Sequence, residues 1–215
     1  MRTKKIRYAT SSLFKREEVL TLLDMTLPAN GTHPAMSVRS AFEFEFHDAI
    51  LAEPLERDLE TMVRHKVMSA YRQIMAPCVV EHAALILEKF KDQNFPGGLT
   101  QPMWDAVGPV GFVKSVEWAG EQAIARCLIA YCNGKRVVTF VGDTVGVLAD
   151  GPRGGRDFYW DTIFCPDGGS GRSFSEIAAG TGGIQEKMLL SQSTKAFLQL
   201  FDYLLAEKDT MFSEL

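Results

Sequence analysis

Apolar and polar positions along the chain mark out strands and helices in alternation, then an antiparallel meander and a last helix. Ile6-Arg7-Tyr8-Ala9-Thr10 reads as a short strand. Ser11-Ser12 then caps a helix from Leu13 to Leu23, with Leu13, Val19, Leu20 and Leu23 apolar and Arg16-Glu17-Glu18 on the wet side. Leu27 to Val38 is loop-like, carrying Pro28, Asn30-Gly31 and Pro34. Ala41 to His47 alternates strictly, which predicts a strand with one aromatic face. Leu51 to Met75 has a helical pattern, with Leu55, Leu59, Met62, Val63 and Val67 on one face and Pro77 as its stop. Cys78-Val79-Val80 reads as a short buried strand that delivers Glu81-His82 at its end, and Ala83 to Lys91 as a short helix.

Asn94 to Gly98 is a turn, and Trp104 to Val113 is weakly helical or irregular. Ala123 to Tyr131 is a strand, Asn133-Gly134 a hairpin turn, Arg136 to Val141 the return strand and Thr144 to Ala149 a third. Phe174 to Ala179 starts a helix, and the last helix runs from Thr194 to Lys208 with Phe197, Leu198, Phe201, Leu204 and Leu205 on its core stripe. The order β-α-β-α-β, antiparallel meander, helix predicts a mixed α/β sheet. With 215 residues and no repeat, one domain spanning 1–215 suffices.

A net charge of -4 argues against a nucleic-acid polymer as partner, since phosphate backbones call for a basic face, yet leaves room for one nucleotide in a local basic pocket. Cys78, Cys127, Cys132 and Cys165 are scattered without metal-finger spacing, so they read as reduced thiols in a cytoplasmic protein. No signal peptide and no apolar run of transmembrane length is visible, so no membrane partner is expected.

Three stretches carry candidate chemistry. Asp157-Phe158-Tyr159-Trp160-Asp161-Thr162-Ile163-Phe164 lies between two glycine-rich loops. It suits either a pocket for a flat polar ring, with aromatic faces to stack and acids to read the edge, or an aromatic turn capping a core. The strand–turn–helix at Thr10, Ser12 and Lys15 is an anion-site geometry or a routine β-α unit. Glu81-His82 is a catalytic or metal position or a polar pair facing water.

The order of these features resembles the inosine triphosphate pyrophosphatase family, which releases pyrophosphate from unusual purine nucleoside triphosphates. The matching residues are Phe140-Val141-Gly142-Asp143-Thr144-Val145-Gly146, Pro152-Arg153-Gly154, Phe158 to Phe164, Pro166-Asp167-Gly168, Ser175-Glu176-Ile177 and Glu186-Lys187. Several ordered matches are more specific than one short motif. The resemblance implies an elongated central sheet with flanking helices in two lobes around a nucleotide cleft. It implies Phe158, Trp160 and Asp161 at the base, Lys187 at the pocket or phosphates, Lys15 at the phosphates beside Thr10 and Ser12, Lys66 as a further lysine, and Glu53 with Glu81 at a magnesium ion.

The departures from the family pattern fall on chemistry. His82 stands where the family has a metal-binding, water-activating aspartate, and magnesium prefers oxygen to imidazole. Ser191-Gln192-Ser193 stands where the family reads the purine edge with Ser-His-Arg, Ser12 replaces an asparagine, and Tyr159 replaces a glycine where it would narrow or cover the pocket. The expectation is a protein that binds dITP or ITP with weak or no hydrolysis over a weakened Mg²⁺ site. As such it resembles the sensing subunit of bacterial antiphage systems whose effector consumes NAD. The alternative is an active pyrophosphatase on dITP, ITP or XTP, with Glu53, Glu81 and Asp161 on the metal and His82 as base. The family's habit of dimerising, and the apolar stretch Phe95 to Val113, leave a homodimer or a hetero-complex with an effector as the expected assembly.

Overall fold

The computed structural model describes residues 3–114, 120–156 and 158–206. The chain opens with strand β1 (Lys4–Ala9) and helix α1 (Leu13–Leu22), followed by a two-stranded ladder, β2 (Thr26–Leu27) with β3 (Met36–Ser37), inside the stretch expected to be loop. One helical turn, α2 (Val38–Ala41), leads into β4 (Phe42–His47). Helix α3 (Leu59–Ile74), strand β5 (Cys78–Leu87) and helix α4 (Thr100–Lys114) complete the first half. Then come β6 (Gln122–Cys132), β7 (Val137–Leu148), β8 (Phe164–Pro166), α5 (Phe174–Ala179), α6 (Gly183–Leu190) and α7 (Gln192–Ala206).

Six strands form one mixed sheet in the order β4-β1-β5-β6-β7-β8. β1 runs parallel to both β4 and β5, and the β5-β6-β7-β8 ladder is antiparallel. The expected α/β class with a mixed sheet and flanking helices therefore holds. One face of the sheet packs on α7 through Tyr8, Phe42, Val79, Phe197 and Phe201, and the other on α3 through Val63, Val67, Val80, Ala84 and Leu128. The alternating aromatics of β4 serve this packing: Phe42 stacks on Phe201 at 4.9 Å and Phe44 meets Phe197 edge-on at 5.9 Å.

Several elements differ from expectation. β5 does not stop at Val80. It continues to Leu87, and only a 3₁₀ turn (Glu88–Gln93) stands where a helix was expected. The reason is pairing: every residue from Cys78 to Leu87 has a partner on β6, and the ladder satisfies backbone groups that a helix would otherwise bond internally. Glu81 and His82 therefore sit mid-strand. α3 begins at Leu59, because Asp58 caps it by accepting from the Thr61 amide, so Leu51 to Glu56 lie outside the helix. Thr144 continues the strand begun at Val137, and the third meander strand is β8. Cys127 lies within β6 and Cys132 is its last residue. Trp104 to Val113 is helical, but the helix breaks at Gly108, whose φ of 67° and ψ of 174° precede Pro109. Trp104 and Phe112 are buried in that segment, while Val107 and Val110 are exposed. The last helix begins two residues earlier than expected, and its expected end at Lys208 lies outside the described residues, as does Asp157.

Candidate functional site

Two adjoining cavities open between the β1–α1 turn, the loop before α3, and the aromatic segment. The larger, about 470 Å³, is lined by Thr10, Ser11, Ser12, Lys15, Glu53 and Lys66, with Tyr159 and Phe158 at its rim. Its volume is in the range of small-molecule sites. The narrower, about 60 Å³, continues inward past Lys15 and Lys66 to Glu81, His82, Asp161, Lys187, Gln192 and Ser193. It admits no more than a few waters.

The β1–α1 turn brings the start of a helix to the wall of the larger cavity. Ser12 caps α1 by accepting from the Lys15 amide at 3.3 Å, and its own amide donates to Thr10 Oγ1 at 3.2 Å. Arg16 reaches back to the Thr10 carbonyl at 2.6 Å and pairs with Asp48, tying the turn to the end of β4. Lys15 and, from α3, Lys66 both donate to the Glu81 carbonyl, at 3.3 and 3.1 Å. Two ammonium groups thus converge on one oxygen between the cavities.

The acids around them are already engaged. Glu81 Oε2 accepts from the Tyr8 hydroxyl at 2.6 Å, and Oε1 accepts from Ser193 Oγ at 3.0 Å with Lys15 Nζ 3.7 Å away. Burial pushes Glu81 up, but Lys15 and the two hydroxyls outweigh it and hold the carboxyl below its ordinary range. Glu53 pairs with Lys66 at 2.7 Å and with His82 Nδ1 at 3.4 Å. Burial raises Glu53 as well, and His82 and Lys66 together bring it far below the carboxylate norm. His82 is lowered, by burial first and then by Lys66 and Lys15, against the pull of Glu53. Burial thus favours the neutral imidazole, and Nδ1 is the ring nitrogen that faces Glu53. Nε2 is buried without a partner among the described residues, as is Gln192 Oε1.

A second ionic cluster closes the inner end. Lys187, 2% exposed, donates to Glu18 Oε1 at 2.5 Å and to Asp161. Arg156 adds a 3.2 Å bond to the same Glu18 oxygen and lies over the Phe14 ring at 4.6 Å. Burial, with Glu18 adding, raises Asp161 to about 6 against the pull of Lys187. Burial opposes the charge on Lys187, but Asp161 and Glu18 hold its pKa above the usual value. Glu18 was expected on the wet side of α1; it is buried here because two cations meet it.

The aromatic segment forms a 3₁₀ turn, Tyr159–Thr162. Phe158 stacks on Phe14 with centroids 4.9 Å apart, so one ring face is covered by protein. Trp160 is buried against Phe164 and belongs mainly to the core, touching only the narrow cavity. Tyr159 has φ of 47°, a left-handed conformation that glycine adopts without strain. That gives a physical reason for a glycine at this position in the motif it resembles. Its hydroxyl accepts from Gln101 at 3.1 Å across the rim. Upstream, Gly154 has φ of 93°, and a Cβ there would lie 2.5 Å from Ser175 Oγ, so the Pro152-Arg153-Gly154 turn packs on α5 only as glycine.

Of the residues proposed from sequence, Thr10, Ser12, Lys15, Glu53, Lys66, Phe158 and Tyr159 line the larger cavity. Glu81, His82, Trp160, Asp161, Lys187, Gln192 and Ser193 line the narrower one. Ser191 lines neither; it is buried behind, its hydroxyl accepting from the Ser193 amide at the start of α7. Sequence reasoning missed Tyr8, Phe14, Glu18, Gln101 and Arg156. The alternation of β1 was a signal for Tyr8, since it shares a face with buried Ile6.

The Ham1 family model matches residues 6–203. The chain belongs to the Ham1 family. This Ham1 member is 29% identical over 201 residues to Inosine triphosphate pyrophosphatase 1 of Trypanosoma cruzi, covering 91% of this chain and 90% of the relative. It is 29% identical over 196 residues to the dITP/XTP pyrophosphatase of Methanopyrus kandleri, covering 89% and 92%. The fold matches the Ham1 protein of Staphylococcus aureus with a TM-score of 0.62 at 16% identity, covering 95% of this chain and all of that one. No helix among the described residues is long and apolar enough to cross a membrane.

The residues do not fit the magnesium ion that the family resemblance implies. Glu53 and Glu81 are each bonded to protein donors, Asp161 is held by Lys187, and an imidazole occupies the remaining position. A hard cation needs several free oxygens, and here it would sit among two ammonium groups.

Proposed function

We propose that the chain binds an inosine-type purine nucleoside triphosphate, dITP or ITP, in this cleft and hydrolyses it weakly or not at all. Its relatives are named for pyrophosphatase activity on dITP and XTP, which supports the ligand class. The observation that carries the reading is His82: a buried neutral imidazole joined to Glu53 where charge must be neutralised if phosphoryl transfer is to proceed. Lys15, Lys66 and the Thr10–Ser12 turn would hold the phosphates, and Phe158 with Tyr159 would flank the base. Asp161 and Gln192 would meet its edge. A chain that holds its ligand without consuming it is suited to report occupancy to a partner. The resemblance implies an effector that consumes NAD.

A second reading is an active pyrophosphatase with His82 as general base. The Glu53–His82 contact favours it, because a carboxylate on Nδ1 leaves Nε2 as an oriented proton acceptor. Purified protein incubated with dITP and magnesium separates the two by pyrophosphate release. Turnover of about 1 s⁻¹ or more, in the ordinary enzyme range, refutes the first reading. Tight dITP binding by calorimetry with no product refutes the second.

A further inference from the structure

We infer that the cleft takes its triphosphate without a divalent cation, the phosphate charge being met by Lys15 and Lys66. The inference rests on the reading of this cleft as a nucleoside triphosphate site. Its starting point is the misfit of the metal position. A cation entering between Glu53 and Glu81 must take Glu53 from Lys66 at 2.7 Å and Glu81 from Tyr8 at 2.6 Å and Ser193 at 3.0 Å. It gains no free third carboxylate in return, because position 82 supplies an imidazole and Asp161 is held by Lys187.

Phosphate oxygens face the opposite situation. Lys15 and Lys66 already point at one acceptor, the Glu81 carbonyl, from two different helices. Both line the large cavity as well as the narrow one, so both ammonium groups border the space a phosphate chain would fill. An incoming phosphate oxygen can accept from their remaining N–H groups without stripping the carbonyl, since each ammonium carries three donors and Lys66 uses two, on the Glu81 carbonyl and Glu53. Thr10, Ser11 and Ser12 line the same wall at the start of α1, where the positive end of the helix dipole adds to the attraction. Two lysines and a helix start replace what a metal would supply, and they are fixed by the protein before the ligand arrives.

The test is calorimetry of dITP into the purified chain, once in excess EDTA and once in excess magnesium chloride. The expected result is the same Kd in both within about threefold. Magnesium chloride titrated alone is expected to give no binding heat. Binding lost in EDTA and restored by magnesium overturns the inference while leaving the nucleotide reading intact. No binding in either buffer overturns the nucleotide reading and the inference with it. Lys15→Met is expected to weaken binding in EDTA by about tenfold or more, and Lys15→Arg to restore most of it. Unchanged affinity in a folded Lys15→Met protein refutes the role given to the lysines. His82→Asp returns a carboxylate to the site and is expected to make binding about tenfold tighter in magnesium than in EDTA. Equal affinities there refute the assignment of metal exclusion to position 82.

Discussion

Replacing Lys187 with methionine removes an ammonium group that two buried carboxylates share. The side chains of Lys187, Glu18 and Asp161 are 2%, 7% and 5% exposed, so water cannot take over. Truncating one partner of a buried ion pair typically costs about 3–5 kcal/mol, most of it the penalty of the charge left behind. Glu18 keeps Arg156 at 3.2 Å, so the orphan is Asp161 and the low end applies, about 3 kcal/mol. For a chain of this size that corresponds to a loss of roughly 6–12 °C in Tm. Equilibrium urea unfolding at several pH values is the assay. Asp161 is already raised to about 6, chiefly by burial, and loss of Lys187 raises it further. A group whose folded pKa lies above its unfolded value stabilises most at low pH and loses that contribution as pH rises through the folded pKa. The gap between variant and wild type should therefore be widest near pH 8 and shrink toward pH 5. Adding Asp161→Asn to Lys187→Met should recover most of the loss at pH 8. A gap under about 1 kcal/mol, the size of a surface pair, or one that widens on acidification, refutes the account of this cluster.

Tyr8→Phe removes the 2.6 Å donor from buried Glu81 and should cost about 1.5–3 kcal/mol, read by urea unfolding. Glu81 is lowered in the fold, so its contribution is present above the ordinary carboxylate pKa and lost as pH falls through the folded value. His82, also lowered, stays neutral in the fold while the unfolded chain takes up a proton below about 6.5. Stability should thus fall as pH drops below that value, and His82→Gln should flatten this part of a pH–stability curve; an unchanged curve counts against a buried neutral imidazole. Tyr159→Gly should raise stability by about 1 kcal/mol through relief of the left-handed backbone while weakening dITP binding in calorimetry. Unchanged affinity refutes a covering role for Tyr159.

The strands and helices of the first half were legible because β1, β4 and α3 each bury one face, and burial of one face imposes a period on the sequence. β5 was misread past Val80 because it is buried on both faces, and a continuous run such as Ala83 to Leu87 has no period to separate strand from helix. Glu18 was misread for a different reason. It follows Arg16 and Glu17 in a polar run, and its cationic partners lie 138 and 169 residues away along the chain. The aromatic segment was visible from composition, but the stacking of Phe158 on Phe14 depends on how α1 meets the 3₁₀ turn, which no local pattern encodes.

The length of β5 bears directly on the chemistry. Consecutive strand residues face opposite sides, so Glu81 and His82 cannot both turn to the same layer. Glu81 follows Val79 toward α7, where Tyr8 and Ser193 fasten its carboxylate. His82 follows Val80 toward α3, where it meets Glu53 on the loop before the helix, with Lys66 bonded to the same carboxylate. The identity of residue 82 therefore decides what Glu53 meets. A carboxylate there would repel Glu53 unless a cation lay between them, whereas a neutral imidazole can face it through Nδ1 without repulsion. The loop that carries Glu53 is thus tied to the sheet through His82 and to α3 through Lys66. In this arrangement the group that competes most directly for Lys66 is an anion, which links occupation of the large cavity to the tether of that loop.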